Sequence, residues 1–252
     1  MRIIISPAKK MNIDLDSLPC EGLPQFLPEA GQLLQRLQCM DYDQLKALWI
    51  CSDALAQLNF ARLKKLDLHR SLTPAILSYE GIQYQYMAPA VFEDGHFTYI
   101  QEHLRILSGF YGMLRPFDGV TPYRLEMQAR LAGDTYANLY EFWGDKLAHQ
   151  LCTETDFILN LASKEYSKAV SLHLPKETCL LTCGFGELLD GKFIEKGTRC
   201  KMARGEMVRF MAEHRITEPQ EIKAFNRLGY AFSQELSTPN HYIFLAGQSK
   251  RL

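Results

Sequence analysis

The chain has 252 residues, of which 47% are hydrophobic and 23% are charged, a composition typical of a folded globular protein and not of a disordered one. No apolar run approaches the roughly 18 residues that a membrane helix needs, and the first residues form no apolar signal core, so we expect a cytoplasmic protein without a membrane partner. The seven cysteines are odd in number and form no C-x-x-C pair, which predicts reduced thiols and no disulfide framework. The spacing of Cys179, Cys183, Cys200 and His173 matches no usual zinc module, so no metal site is expected.

Charge is unevenly distributed along the chain, although the formal net charge is only −1. Residues 11–60 contain seven acidic and two basic side chains, a net charge of −5, and should repel polyanions. Residues 192–215 contain seven basic and three acidic side chains, a net charge of +4. An anionic partner would bind there, unless the basic stretch is only a solvated helix face.

The first predicted element is a strand over residues 3–5, which leads into a polar loop that contains Ser6 and Lys9. Amphipathic helices are predicted next, within residues 33–37, 42–48 and 52–58. A further helix is expected to run through Leu107 and to end at Ser108 and Gly109, because apolar residues recur at helical spacing before that point.

A capping box at Asn138 predicts a helix whose apolar stripe runs from Leu139 to Leu151, with Trp143 in the core. Residues 156–161 predict a buried strand, followed by a helix that Ser163 caps. Hairpins are predicted around residues 190–191 and 238–240, so the sheet should be mixed. We therefore predict one α/β (mixed α+β) domain over residues 1–252, with a central mixed sheet flanked by helices.

The strand, polar loop and helix pattern occurs twice, and it suggests where a ligand would bind. In α/β sheets, ligands usually bind beyond the carboxyl ends of the strands, which makes Lys9, Ser163 and Lys164 candidates. The second candidate region, residues 103–126, combines turns with Arg105, Arg115 and Arg124. Guanidinium groups beside exposed amides suit phosphate oxygens. The alternative is that these arginines form ion pairs within the loop, as in Arg124 with Glu126 and Arg115 with Asp118.

Six motifs in this order resemble the YaaA peroxide-stress-protein family. They are I-S-P-A-K (5–9), H-L-R-x-L-S-G-x-Y-G-x-L-R-P-x-D (103–118), P-Y-R-L-E-M (122–127), L-Y-x-F-W-G-D (139–145), N-L-A-S-x-E-Y (160–166) and K-x-A-R-G (201–205). The resemblance implies a bacterial, cytoplasmic protein that aids survival under hydrogen peroxide by limiting intracellular unincorporated iron and so Fenton damage to DNA. It also implies DNA binding through a basic cleft and a helix-hairpin-helix-like element in an unusual, family-specific α/β fold.

Two departures from the family pattern stand out. A helix-hairpin-helix would place its hairpin at residues 109–112, yet Pro116 leaves its second helix hardly one turn. Where the family reads F-x-G-D-x-Y, residues 79–84 of this chain carry Ile82 at the position of the acid, so a role for that acid is not carried over.

The K-x-A-R-G motif carries an electrostatic argument of its own. Ala203, Met207, Phe210, Met211 and His214 predict one helix face, which places Arg199, Lys201 and Arg204 at the amino end, where cations are unfavourable. A phosphate held there by free helix amides would remove the conflict, and Gly205 would allow its close approach. The alternative is a solvated helix terminus.

These observations favour a protein that binds double-stranded or structured DNA through phosphate contacts, without sequence specificity, without a cofactor and most simply as a monomer. The expected phosphate contacts are Lys9, Arg105, Arg115, Arg124, Lys164, Arg199, Lys201 and Arg204, and the expected additional lining of the cleft is Ser6, Tyr123, Glu126 and Ser163. The alternative is an enzyme acting on a nucleotide or another phosphorylated small molecule, with Tyr123 or Glu126 as acid or base, although no nucleophile and base pair identifies a catalytic residue. Direct iron binding is the third alternative and the least favoured, because the seven His form no H-x-x-H pair.

Overall fold

The computed structural model describes residues 1–247, which form twelve strands and ten α-helices. The strands are β1 (Arg2–Ile5), β2 (Lys10–Met11), β3 (Thr73–Pro74), β4 (Tyr79–Glu80), β5 (Leu104–Ser108), β6 (Gly112–Leu114), β7 (Gly119–Val120), β8 (Phe157–Leu161), β9 (Cys179–Leu189), β10 (Lys192–Ile194), β11 (Tyr230–Phe232) and β12 (His241–Ala246). The helices are α1 (Leu27–Gln38), α2 (Tyr42–Trp49), α3 (Asp53–Lys65), α4 (Ala75–Ser78), α5 (Ile82–Met87), α6 (Asp94–His103), α7 (Leu139–Trp143), α8 (Lys146–Glu154), α9 (Lys164–Ser171) and α10 (Gly197–His214). Single 3-10 turns lie at Pro89–Val91, Glu221–Ala224 and Arg227–Gly229.

The centre of the fold is an eight-stranded mixed sheet with the order β11-β12-β9-β8-β1-β5-β6, to which β10 is added as a partner of β9. The five strands from β12 to β5 are parallel to one another, whereas β6, β10 and β11 are antiparallel to their partners. β1 lies between β8 and β5, with Ile5 opposite both Leu161 and Ile106. The residues that follow β1 and β8 therefore leave the sheet at the same edge.

Helices cover the sheet and confirm the predicted single α/β domain. In the acidic amino-terminal segment, α1 buries Leu33 and Leu37, α2 buries Leu45 and α3 buries Leu63. Asp41 caps α2 by accepting a hydrogen bond from the amide of Gln44 at 2.8 Å, as its sequence position indicates. No helix formed by residues 1–247 combines the length and the apolar character that a bilayer crossing requires.

The helix predicted through Trp143 and Leu151 is two helices in the structure. Trp143 is fully buried, as expected, and its indole Nε1 donates a hydrogen bond to the carbonyl oxygen of Gly109 at 3.1 Å. Gly144 has a φ of +49°, which glycine adopts without a steric penalty, and it separates α7 from α8. The two stretches of the apolar stripe therefore belong to two helices.

The prediction of a helix through Leu107 is wrong, since α6 ends at His103 and the next five residues form β5. All five residues of β5 are buried, and β1 and β6 pair with its two edges. The five residues from Leu104 to Ser108 are too few to distinguish helical from strand periodicity, and here the pairing with β1 decides. The turn at residues 109–111 therefore joins two strands, and no helix-hairpin-helix forms at this place.

Candidate functional site at the carboxyl ends of the parallel strands

A cleft of about 390 Å³ opens at the sheet edge where β1 and β8 end. Its lining is Ser6, Pro7, Ala8, Lys9, Lys10, Glu80, Gly81, Ile82, Gln83, Tyr84, Tyr123, Arg124, Leu125, Glu126, Ser163, Glu165, Tyr166, Lys201 and Arg204. The amide of Ser163 donates to Ser6 Oγ at 2.8 Å, and Ser6 Oγ donates to Ser163 Oγ at 3.2 Å. This contact joins the two strand-end loops, as parallel neighbouring strands allow.

Glu126 forms ion pairs with two of the predicted cations. Its Oε2 lies 2.7 Å from Lys9 Nζ, and its Oε1 lies 3.2 Å from Arg124 Nη2. The Lys9 side chain is 65% exposed and that of Arg124 is 8% exposed, so the first pair lies near the mouth of the cleft and the second lies deeper. The structure thus places residues 123–126 beside Lys9, and it also forms the expected ion pair between Arg124 and Glu126.

Tyr123 lines the cleft, but its hydroxyl is already engaged. It shares hydrogen bonds with Ser108 Oγ at 2.6 Å and with the hydroxyl of Tyr79 at 2.8 Å. Burial raises the pKa of Tyr123 above its ordinary value, mainly because the phenolate would be desolvated. These contacts give Tyr123 a structural role and make it a poor acid or base at neutral pH.

Helix α10 supplies one wall through Lys201, which is exposed, and Arg204, which is half-buried. The helix begins at Gly197, one turn before Lys201, so these two side chains come from its second and third turns. The predicted phosphate site at free amino-terminal amides is therefore wrong as a description of the cleft. The helix dipole acts mainly on charges in the first turn of a helix, so its unfavourable effect on Lys201 and Arg204 is small.

Gly205 serves helix packing and not the approach of a ligand. A Cβ atom at Gly205 would lie 2.0 Å from the carbonyl oxygen of Gln83 and 3.0 Å from the amide nitrogen of Met87, both in α5. The missing side chain lets α10 lie directly against α5. This contact places Arg204 and Gln83 in adjoining walls of the same cleft.

The cleft contains both satisfied and unsatisfied cations. Lys10 forms an ion pair with Glu80 at 2.6 Å, and Lys9 forms one with Glu126, whereas Arg204 and Lys201 have no carboxylate oxygen within 4.0 Å among residues 1–247. Arg124 forms its ion pair with Glu126 through one nitrogen, Nη2. The positive charge without a partner therefore lies on the α10 wall.

Three buried nitrogens of the cleft lack a hydrogen-bond partner. They are Gln83 Nε2, Arg124 Nε and Arg204 Nε, and within residues 1–247 the one further buried side-chain polar atom without a partner is Trp49 Nε1. A buried donor without a partner costs about 1 to 3 kcal/mol. Their concentration in one cleft makes this cleft the candidate site for a ligand with acceptor atoms.

Sequence reasoning missed Glu165, which lies in the first turn of α9 and accepts a hydrogen bond from the amide of Gln128 at 3.3 Å. Burial raises the pKa of Glu165, the neighbouring Glu126 raises it further, and Lys9 opposes both effects. Its position in the N-L-A-S-x-E-Y motif was the signal that could have identified it. Residues 79–84 were a second signal for the position of the cleft. Ile82, which stands where the family pattern has an acid, also lines the cleft.

Arg105 and Arg115 do not reach this cleft. Arg105 is 3% exposed, and its Nε and Nη2 donate to Glu154 Oε2, which also pairs with Arg2 at the amino end of β1. Arg105 and Arg115 line a separate cavity of about 350 Å³ with Asp118. The second residue of β5 and the residue after β6 meet at the opposite edge of the sheet, because the two strands are antiparallel.

The loop around Asp118 is held by a backbone contact in place of the expected ion pair. The amide of Arg115 donates to Asp118 Oδ2 at 2.8 Å. Of the other predicted phosphate contacts, Lys164 and Arg199 are exposed and lie outside the cleft lining.

Cysteine and histidine side chains do not assemble a metal site in the described part of the chain, where no three His, Cys, Asp or Glu residues come together in a suitable group. Glu93 and His96 have the E-x-x-H spacing that carboxylate iron sites use, but here the amide of Glu93 donates to His96 Nδ1 at 3.2 Å. Burial raises the pKa of the Cys200 thiol to about 11 and raises that of Cys183 further. Both thiols remain protonated at neutral pH.

The fold and the cleft define the class as a single-domain α/β protein with a cation-lined cleft at the carboxyl ends of its parallel strands. The family model described as "Peroxide stress protein YaaA" matches residues 1–236. The chain belongs to this YaaA peroxide stress protein family, which confirms the resemblance seen in the motifs.

Curated bacterial relatives carry the description UPF0246 protein and match over nearly their whole length. One from Lachnoclostridium phytofermentans is 55% identical over 249 residues, 99% of this chain and 98% of the relative. One from Desulfitobacterium hafniense is 52% identical over 251 residues, 100% of each chain. One from Pediococcus pentosaceus is 52% identical over 248 residues, 98% of this chain and 99% of the relative.

Proposed function

We propose that this protein binds the phosphate backbone of double-stranded or structured DNA through the cleft, without sequence specificity, as part of the bacterial response to peroxide stress. The observation that carries the proposal is the half-buried guanidinium of Arg204, which has no carboxylate within 4.0 Å among residues 1–247. Such a cation is normally paired, because burial without a counter-ion is unfavourable. Arginine forms bidentate hydrogen bonds to phosphate oxygens, so a phosphate would supply the missing partner.

The surroundings of Arg204 suggest how a polyanion would approach. Lys201 shares its side of α10, and Lys164 and Arg199 are exposed at the starts of α9 and α10. The opposite rim, at Lys9 and Glu126, adjoins helix α2 through a groove that these two residues also line, and α2 belongs to the segment of residues 11–60 that has a net charge of −5. DNA would therefore approach from the side of α9 and α10.

The proposal extends to the effect in the cell. Membership of the family supports a role in peroxide stress. We propose that the protein acts in the cytoplasm and protects DNA from Fenton damage by limiting unincorporated iron. We place the effect on iron downstream of the cleft, because the unpaired groups of the cleft are cations, which suit anions. In cells that lack the gene, a complementing Lys201→Ala/Arg204→Ala variant should leave unincorporated iron, measured by electron paramagnetic resonance, at the deletion level. Restoration of the wild-type iron level by this variant would contradict the link between cleft and iron.

The test of DNA binding is a salt titration with duplex and bubble DNA. Log affinity should fall linearly with log salt, with a slope of about 0.9 per neutralised phosphate, and Lys201→Ala/Arg204→Ala should weaken binding and reduce that slope by about one to two units. Lys65→Ala/Lys176→Ala is the matched control, since it removes the same charge from exposed sites outside the cleft. Equal losses in both double variants would show that only overall charge matters and would refute a binding site in the cleft.

A second candidate function is an enzyme that acts on a phosphorylated small molecule. The favouring observation is the arrangement of Glu165, Glu126 and Lys9 around the strand ends, in which the raised pKa of Glu165 suits a proton donor. Saturable binding of a nucleotide together with no binding of long duplex would favour the enzyme over the DNA-binding protein.

A further inference from the structure

We infer that the cleft binds a phosphomonoester carried by a nucleoside, above all the phosphorylated end of a DNA strand, in preference to the internal phosphodiesters of a duplex. The inference rests on the proposed function and names the part of the nucleic acid that the site accepts.

The depth of the unsatisfied donors is the first argument. Gln83 is 7% exposed and the Arg124 side chain is 8% exposed, so their unpartnered nitrogens lie well below the surface. Groups on the outside of an intact duplex would meet Lys201 and Arg199 first, because these side chains are exposed. An acceptor reaches Gln83 and Arg124 only if it enters the cleft.

The size of the cleft is the second argument. Its volume of about 390 Å³ is near the lower end of the range of about 300 to 1,000 Å³ for small-molecule pockets. Tyr84, Tyr123 and Tyr166, all less than a tenth exposed, close its inner side. An internal phosphate has a nucleotide on each side and would have to bring both, whereas a strand end has one. The cleft therefore admits an end or a free nucleotide more readily than a continuous strand.

The number of charges and donors is the third argument. A phosphomonoester carries a charge of about −1.5 to −2 at pH 7 and three terminal acceptor oxygens. The cleft offers two cations without a carboxylate partner, Arg204 and Lys201, and three buried nitrogens without an acceptor. A phosphodiester, with one charge and two free oxygens, would leave part of this set unsatisfied.

The experiment compares one short duplex in three forms: with 5′-phosphates, with 5′-hydroxyls, and closed at both ends by loops so that no end remains. A deoxynucleoside monophosphate and inorganic phosphate serve as competitors. The phosphorylated duplex should bind about ten-fold or more tightly than either other form, which corresponds to one additional charge-assisted contact. Gln83→Leu, which keeps the approximate volume, should reduce this preference by weakening the binding of the phosphorylated duplex. Gln85→Leu is the control, because Gln85 is exposed on the same helix.

The outcomes separate this inference from the proposed function. Equal affinity for all three duplexes would overturn the preference for ends and leave DNA binding in place. A preference that stays unchanged both in Gln83→Leu and in Arg204→Lys would overturn its assignment to the cleft. Binding of the monophosphate without binding of any duplex would support the phosphomonoester and make the free nucleotide its source, while overturning the proposed function. Binding of neither would overturn both.

Discussion

Replacing Gly205 by alanine tests whether the contact between α10 and α5 is as close as the structure shows. The new Cβ would lie 2.0 Å from the carbonyl oxygen of Gln83, at least 1 Å inside the 3.0 Å that real Cβ contacts respect. The neighbours at this point are backbone atoms, so no side chain can rotate away. Overpacking costs about 1 to 3 kcal/mol, and the higher helix propensity of alanine returns about 1 kcal/mol. The difference is about 0 to 2 kcal/mol. Because the backbone must move, we expect a net loss in the upper half of this range, about 1 to 2 kcal/mol.

The assay is urea unfolding and thermal denaturation of Gly205→Ala beside Gly31→Ala. Gly31 also lies inside a helix, but its added Cβ would meet nothing within 4 Å. For a chain of this length the first variant should lose about 2 to 8 °C in Tm, whereas the second should gain about 1 to 4 °C. Gly205→Ala should also bind DNA more weakly, because α10 carries Arg204 away from Gln83. A Gly205→Ala protein as stable as the Gly31→Ala protein would refute the packing argument.

Two further predictions concern titratable groups. Burial raises the pKa of Asp118 from 3.8 to about 6, so the folded protein holds a proton between these values that the unfolded chain releases, and the contribution of Asp118 to stability rises as pH falls from about 6 to about 4. Asp118→Asn should therefore be more stable than the wild type at pH 7 to 8 and lose that advantage toward pH 4, and a difference independent of pH would contradict the assignment. Iodoacetamide should modify the exposed Cys39 in the folded protein and spare Cys183 and Cys200 until unfolding, as peptide mass spectrometry can show; early labelling of Cys183 would contradict its burial.

Elements fixed by local chemistry could be predicted from the sequence. The β-branched run of β1 and the Asp41 cap of α2 need only their neighbours in the chain to be recognised. The strand at residues 104–108 could not, because it is only five residues long and its partner β1 lies about a hundred residues away in sequence. The break at Gly144 was hidden for the opposite reason, since the apolar stripe continues on both sides of a single residue with positive φ.

The candidate site was predictable only where a general rule of the fold applied. The rule that ligands bind at the carboxyl ends of parallel strands identified Lys9 and Ser163, and the motif at residues 122–127 joined them as expected. Arg105 and Arg115 were assigned by their density in the sequence, which carries no information about which edge of a sheet a side chain occupies. The side-chain amide of Gln83, whose Nε2 lacks a hydrogen-bond partner, is placed by the packing of α5 against α10. No local pattern in the sequence indicates this packing.

The position of β1 in the middle of the sheet has a consequence during synthesis. β1 leaves the ribosome well before its neighbour β8, which pairs Leu159 with Ile3, a separation of 156 residues. At about 5 to 20 residues per second, this partner follows roughly 8 to 30 s later. For that interval the edge of β1 that pairs with β8 stays unpaired, so the nascent chain depends on other protection from aggregation. The cleft, which needs residues from Ser6 to Arg204, can form only after most of the chain has been made.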